Sequence, residues 1–123
     1  MTKIAIIEDD QVINQMYRMK FETAGFDVAT ASDGEAGVSM VKKFQPDLIL
    51  LDLQMPRMDG TEALGLIRAQ AASKTTPVIV LTNLGEEEAP EALRQLNINS
   101  YIVKAELTPK QVVERVKSVL KIK

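Results

Sequence analysis

Three apolar runs stand out along the chain: Ile4–Ile7, Leu48–Leu51 and Val78–Leu81, each without a polar interruption. Strands that alternate apolar and polar residues cover one face, whereas unbroken runs fit strands buried on both faces, as in a parallel sheet. A weaker run, Val28–Ala31, contains Thr30, and a short one covers Tyr101–Val103. Between the runs, apolar residues recur at helical spacing. The stripes are Ile13, Met16, Tyr17, Phe21 and Ala24; Ala36, Met40, Val41 and Phe44; Leu64, Ile67 and Ala71; Ala89, Ala92, Leu93 and Leu96; and Val112, Val113, Val116, Val119 and Leu120. The punctuation agrees: Gly25 closes the first stripe, Pro46 follows the second, and Pro77 precedes the fourth strand. Thr108-Pro109 reads as N-cap and first residue of the last helix, and Asp59-Gly60 as the start of the third. Glu86-Glu87-Glu88 reads as a charged first turn of the fourth. Five alternations of strand and helix, joined by short right-handed crossovers, predict an α/β, doubly wound (βα)5 fold with a five-stranded parallel sheet.

This pattern gives the polar residues at the strand ends their meaning. Glu8 and Asp9 end the first run, Asp52 the third, Thr82 the fourth and Lys104 the fifth. In a parallel sheet these ends share one edge, and ligands in such folds sit beyond it, where the strand order reverses. Three carboxylates there raise one another's pKa unless a cation relieves them. Mg²⁺ suits the task, because it takes oxygen ligands and needs only one or two carboxylates. Lys104 offers a mobile point charge and Thr82 a hydroxyl donor. Nucleophile, metal, ammonium and hydroxyl together describe a phosphoryl site, with Asp52 attacking as an ionised carboxylate that needs no general base.

Composition narrows the choice. At 123 residues the chain reads as a single domain, 1–123, with no output domain, and buries roughly two-thirds of its unfolded surface. It contains no histidine and no cysteine, which removes catalytic triads, imidazole and thiolate metal sites, and disulfides. The net charge of −2 gives no reason to expect direct contact with nucleic acid or with an anionic membrane. No apolar run is long enough to span a bilayer, and a strand that begins at Lys3 leaves no room for a signal peptide, so a cytoplasmic location is expected.

The segment Asp52-Leu53-Gln54-Met55-Pro56-Arg57-Met58-Asp59-Gly60 closely resembles the phosphoacceptor segment of response-regulator receiver domains of two-component signalling. Glu8-Asp9, Thr82 and Lys104 follow that family's order and spacing, and the resemblance runs from Lys3 to the last helix. It implies a flavodoxin-like sheet in the order 2-1-3-4-5. It implies that Asp52 accepts a phosphoryl group from a phosphohistidine, on a sensor histidine kinase or a histidine phosphotransfer protein. Asp9 would ligate Mg²⁺ directly, Glu8 through water, and Gln54 through its backbone carbonyl. Thr82 and Tyr101 would be the switch pair, and Lys104 would bridge to the phosphoryl group. The fourth helix, fifth strand and fifth helix would signal to a downstream protein. The chain would be no enzyme in the ordinary sense, catalysing only its own phosphorylation and dephosphorylation.

Three positions depart from the family pattern: Asn83 after the threonine, Gln54 two residues beyond Asp52, and Ala105 in place of the proline after the lysine. A cis bond before a non-proline residue costs about 2.5–4 kcal/mol, so the Lys104–Ala105 bond is predicted to be trans, with the loop re-routed through Glu106 and Leu107. Two rival readings are a receiver that only docks and a phosphatase with an aspartyl nucleophile. The second is weakened by Gln54, which stands where such an enzyme carries its acid. A nucleotide or flavin binder is disfavoured because an acidic loop, not a glycine-rich one, follows the first strand.

Overall fold

The structure, a computed structural model, describes residues 1–122. Five parallel strands, β1 (Lys3–Ile7), β2 (Asp27–Ala31), β3 (Leu48–Leu51), β4 (Val78–Thr82) and β5 (Ser100–Val103), form one sheet in the order β2-β1-β3-β4-β5. This is the 2-1-3-4-5 order that the resemblance implies, and it reverses between β1 and β3. Four α-helices cover the sheet: α1 (Gln11–Thr23), α2 (Gly34–Phe44), α3 (Gly60–Ala69) and α4 (Pro109–Leu120).

Alternation along the strands divides the core in two. Ile4, Ile6, Leu48, Leu50, Ile79 and Leu81 pack with Phe21 of α1 and with Val112 and Val116 of α4. Ala5, Ile7, Ile49, Leu51, Val78 and Val80 face the other way, onto Val41 of α2 and Leu64 and Ile67 of α3. The strands read as unbroken apolar runs because both of their faces are covered.

Two helix starts, at Asp59 and at Thr108, are the ones the sequence marks, and Asp10 caps α1 in the same way. Asp10 accepts from the Ile13 N–H at 3.1 Å and Asp59 from Glu62 at 2.9 Å. Thr108 and Gln111 form a reciprocal capping box at the start of α4. Gly25 takes φ +97° after α1, a conformation that side-chain-bearing residues avoid.

The fourth crossover differs from expectation. No α-helix spans Ala89–Leu96; instead two 3₁₀ segments, Glu86–Glu88 and Glu91–Leu96, flank Pro90. Proline lacks an N–H, and in a helix its ring clashes with the carbonyl four residues back, here that of Glu86. It also pushes the preceding residue out of the α region, and Ala89 is extended with ψ 141°. The six residues beyond Pro90 reach only to Asn97, which turns the chain at φ 55°. Leu93 is buried and Leu96 packs on the core, so the apolar spacing is used without an α-helix. Ala71 likewise lies past the end of α3, in a 3₁₀ turn at Ala71–Ser73. The Lys104–Ala105 bond is trans, as predicted, and Lys104–Glu106 form a 3₁₀ turn leading to the Thr108 cap.

Candidate functional site

Strand register assembles the site. Ile7 pairs with Leu51, and the Asp52 N–H continues the ladder to the Ile7 carbonyl at 3.0 Å, so Glu8 and Asp52 emerge side by side. Thr82 pairs with Val103, which delivers Lys104 to the same edge. Gly60 lets α3 begin beneath this edge, since a Cβ there would lie 2.2 Å from the Asp52 carbonyl oxygen.

Glu8, Asp9 and Asp52 converge, with one carboxylate oxygen of each within 4.8 Å of the others. Glu8 and Asp52 are buried and Asp9 is half-buried. The Lys104 ammonium lies between the two buried acids, bonded to Glu8 Oε1 and 3.3 Å from Asp52 Oδ2. The remaining oxygens take backbone donors: Asp10 N–H donates to Glu8 Oε2 at 3.2 Å, and Gln54 N–H to Asp52 Oδ1 at 3.1 Å. The Gln54 side chain points outward and is exposed, as is Asn83. The floor is closed. A cavity of about 10 Å³, bounded by Glu8, Asp52, Tyr17 and aliphatic strand residues, is at the lower limit for holding a water.

Electrostatics follow from two buried acids sharing one ammonium. Burial drives the Glu8 pKa up to about 7; the Lys104 hydrogen bond opposes the rise and the Asp52 charge adds to it. Burial works against the charged Lys104, yet its bonds and proximity to Glu8 and Asp52 prevail and raise its pKa. The lysine is therefore the fixed charge, and Glu8 is the group that holds or releases a proton.

Thr82 is fully buried, and its Oγ1 accepts from Leu84 N–H at 3.4 Å. No hydrogen bond joins Thr82 to Asp52 or Lys104 among the described residues. The half-buried Tyr101 donates its hydroxyl to the Leu84 carbonyl at 2.8 Å. Leu84 thus links Thr82 and Tyr101 through its two backbone groups, a connection that no sequence signal reveals. Sequence reasoning also misses Asn14, a buried amide on α1 that donates to the Glu8 carbonyl at 3.0 Å. Its only trace was a polar residue between Ile13 and Tyr17.

The family model for the response regulator receiver domain matches residues 4–117. This chain belongs to the response-regulator receiver family. The receiver is 37% identical over 120 residues to the transcriptional regulatory protein ResD of Bacillus subtilis, covering 98% of this chain and 48% of ResD. It therefore spans about half the length of that relative. The receiver's fold matches that of chemotaxis protein CheY4 of Vibrio cholerae with TM-score 0.89 and 28% identity, over 97% of this chain and 98% of that one. A further match is the receiver domain of the sensor histidine kinase PA1611 of Pseudomonas aeruginosa PAO1, solved with a magnesium ion in its active-site cleft. It has TM-score 0.85 and 26% identity over 95% of each chain.

Proposed function

We propose that this receiver accepts a phosphoryl group on Asp52 from a phosphohistidine of a sensor histidine kinase or a histidine phosphotransfer protein, in a Mg²⁺-dependent reaction. The observation that carries the reading is the convergence of Glu8, Asp9 and Asp52 around Lys104 at the reversal of strand order. The donor set is all oxygen and strongly anionic, which fits Mg²⁺. Asp9, Asp52 and the Gln54 backbone carbonyl would hold the ion, with Glu8 acting through water. When bound, Mg²⁺ supplies positive charge to the oxygens of the transferring group and lowers repulsion between it and Asp52. The magnesium in the cleft of the related PA1611 receiver supports the same assignment.

The chain's own residues account for the rest. An Asp52 carboxylate oxygen attacks phosphorus, the donor's N–P bond breaks, and its electron pair stays on the imidazole. Lys104 shifts from the carboxylates to the new phosphoryl oxygens, where its single charge is needed. Thr82 turns its hydroxyl to the phosphoryl group and gives up Leu84. Because Leu84 also holds Tyr101, the exchange reaches the outer surface formed by the 3₁₀ segment, β5 and α4. Asp52 is itself the acceptor, so the chain catalyses only its own phosphorylation and dephosphorylation. Among the described residues no helix is long and apolar enough to cross a membrane, in keeping with a cytoplasmic location. The downstream partner is a protein; a net charge of −2 does not favour DNA.

The test is intact-mass and peptide mass spectrometry after incubation with acetyl phosphate or a phosphorylated kinase, with and without Mg²⁺. The expected result is one phosphate on Asp52 that requires Mg²⁺. A protein that binds Mg²⁺ but takes no phosphate from any donor would instead be a docking module.

A further inference from the structure

Asn14 is 2% exposed, on the face of α1 that presents Tyr17 and Phe21 to the apolar core. Its Nδ2 donates to the Glu8 carbonyl at 3.0 Å and to the Ala31 carbonyl at 3.2 Å. The Ala31 carbonyl also accepts the Glu8 N–H at 3.0 Å, the rung that continues the β1–β2 ladder past Ile7. Asn14 Oδ1, by contrast, is buried without a hydrogen-bond partner among the described residues. The reversed amide would aim that oxygen at two carbonyls, so the observed orientation is the one chemistry allows.

A half-satisfied buried amide costs stability that an aliphatic residue would not. Packing therefore does not explain Asn14, but its two donors do. The Glu8 carbonyl belongs to the peptide unit that joins Glu8 to Asp9. That unit is planar, so holding its oxygen fixes Glu8 ψ and Asp9 φ together. These torsions decide where Asp9 leaves the backbone relative to Glu8. Strand pairing no longer does so at this point, because the chain is already turning into α1 with Asp10 as its cap.

We propose that Asn14 is a positioning residue for the acid pair. Its amide replaces the next rung of the ladder, holds the Glu8–Asp9 peptide, and so sets the pocket's affinity for a divalent cation. The proposal rests on the Mg²⁺ reading of the pocket. Groups that orient metal ligands commonly contribute about 10–100-fold in affinity when removed.

The experiment is Mg²⁺ titration of the full chain, followed by tyrosine fluorescence and backbone amide shifts, for the wild type, Asn14→Leu, Asn14→Asp and Phe21→Leu. Asn14→Leu keeps the size and removes both donors; about tenfold weaker Mg²⁺ binding is expected. Asn14→Asp separates positioning from charge. Added negative charge alone would tighten binding, whereas loss of the donors weakens it, and weakening is expected. Phe21→Leu loosens the same helix from the core and should leave Mg²⁺ affinity unchanged. Without metal, Asn14→Leu should shift and broaden the Asp9 and Asp10 amide resonances.

Wild-type affinity in Asn14→Leu together with tighter binding in Asn14→Asp overturns the proposal, as does an equal loss of affinity in Phe21→Leu. Should neither Asn14 variant fold, the wild-type protein decides: a scalar coupling across the Asn14 Nδ2–Glu8 carbonyl bond is expected, and its absence defeats the idea. If the wild type shows no saturable Mg²⁺ response and Asp9→Asn changes nothing, the metal reading fails separately, and the Asp9 and Asp10 resonances alone judge Asn14.

Discussion

The two flanks of the pocket are built differently. On one, β1 and β3 carry Glu8, Asp9 and Asp52 out of a fully buried ladder, and α1 and α3 begin on well-formed caps. On the other, Thr82 leads into residues 83–99, where two short 3₁₀ segments replace a helix and Glu86, Glu87, Glu88 and Glu91 are all exposed. Leu93 anchors that flank to the core, and Arg68 ties it to α3 through the carbonyls of Leu96 and Asn97. Chemistry needs ligands held still, whereas signalling needs a segment whose alternative arrangement costs little. On the proposed function these two demands fall on different flanks, and Leu84, bonded to both Thr82 and Tyr101, lies between them.

The largest effect that probes this division is chemical. Asp52→Asn should abolish phosphate incorporation from acetyl phosphate while the circular dichroism spectrum stays native. Full labelling of that variant by mass spectrometry would remove Asp52 from its role.

Next comes packing. Leu50→Ala, at the centre of the sheet, should destabilise by about 3–5 kcal/mol, whereas Leu93→Ala should cost about 2, because the 3₁₀ segment can collapse around the gap. Denaturant unfolding measures both. Hydrogen exchange should show residues 83–97 opening well before β1 and β3. Equal costs and equal protection would erase the distinction between the flanks.

The third concerns pH. In the metal-free protein the Glu8 pKa is raised from 4.5 to about 7. The unfolded chain loses that proton first, so Glu8's contribution to stability is complete below pH 4.5 and is lost as pH rises to about 7. The loss is on the order of 1–3 kcal/mol. Glu8→Gln should flatten this part of the stability–pH curve, and an unchanged slope would place the titration elsewhere.

Two smaller effects sharpen the comparison. Tyr101→Phe removes the hydroxyl that holds Leu84 and should cost about 1 kcal/mol, with faster exchange at Leu84 and Gly85. Ala105→Pro should bring no gain in thermal midpoint. Lys104 lies in a 3₁₀ turn, and a following proline disfavours that backbone conformation. A clear rise in midpoint would contradict the expectation of a re-routed loop.

Much of the acidic flank was legible in advance. Unbroken apolar runs require two covered faces, and a carboxylate at the end of such a run has only the rim to occupy, which places Glu8, Asp9 and Asp52. The caps Asp59 and Thr108 were readable because their signals are local. On the other flank the helical spacing of Ala89 to Leu96 misled, because Pro90 outweighs periodicity over so short a segment. Arg57, left-handed at φ 65° and 3.9 Å from Asp33, gave no warning either.

The chain by itself determined which residues are apolar on both sides, where helices start and which charges stand at strand ends, because those properties depend on neighbours a few positions away. Tertiary structure alone decided that Lys104 would sit between Glu8 and Asp52, that Leu84 would join Thr82 to Tyr101, and that Asn14 would reach both Glu8 and Ala31. Those contacts depend on strand register and on packing between segments up to 96 residues apart, where a shift of one residue turns every side chain to the opposite face.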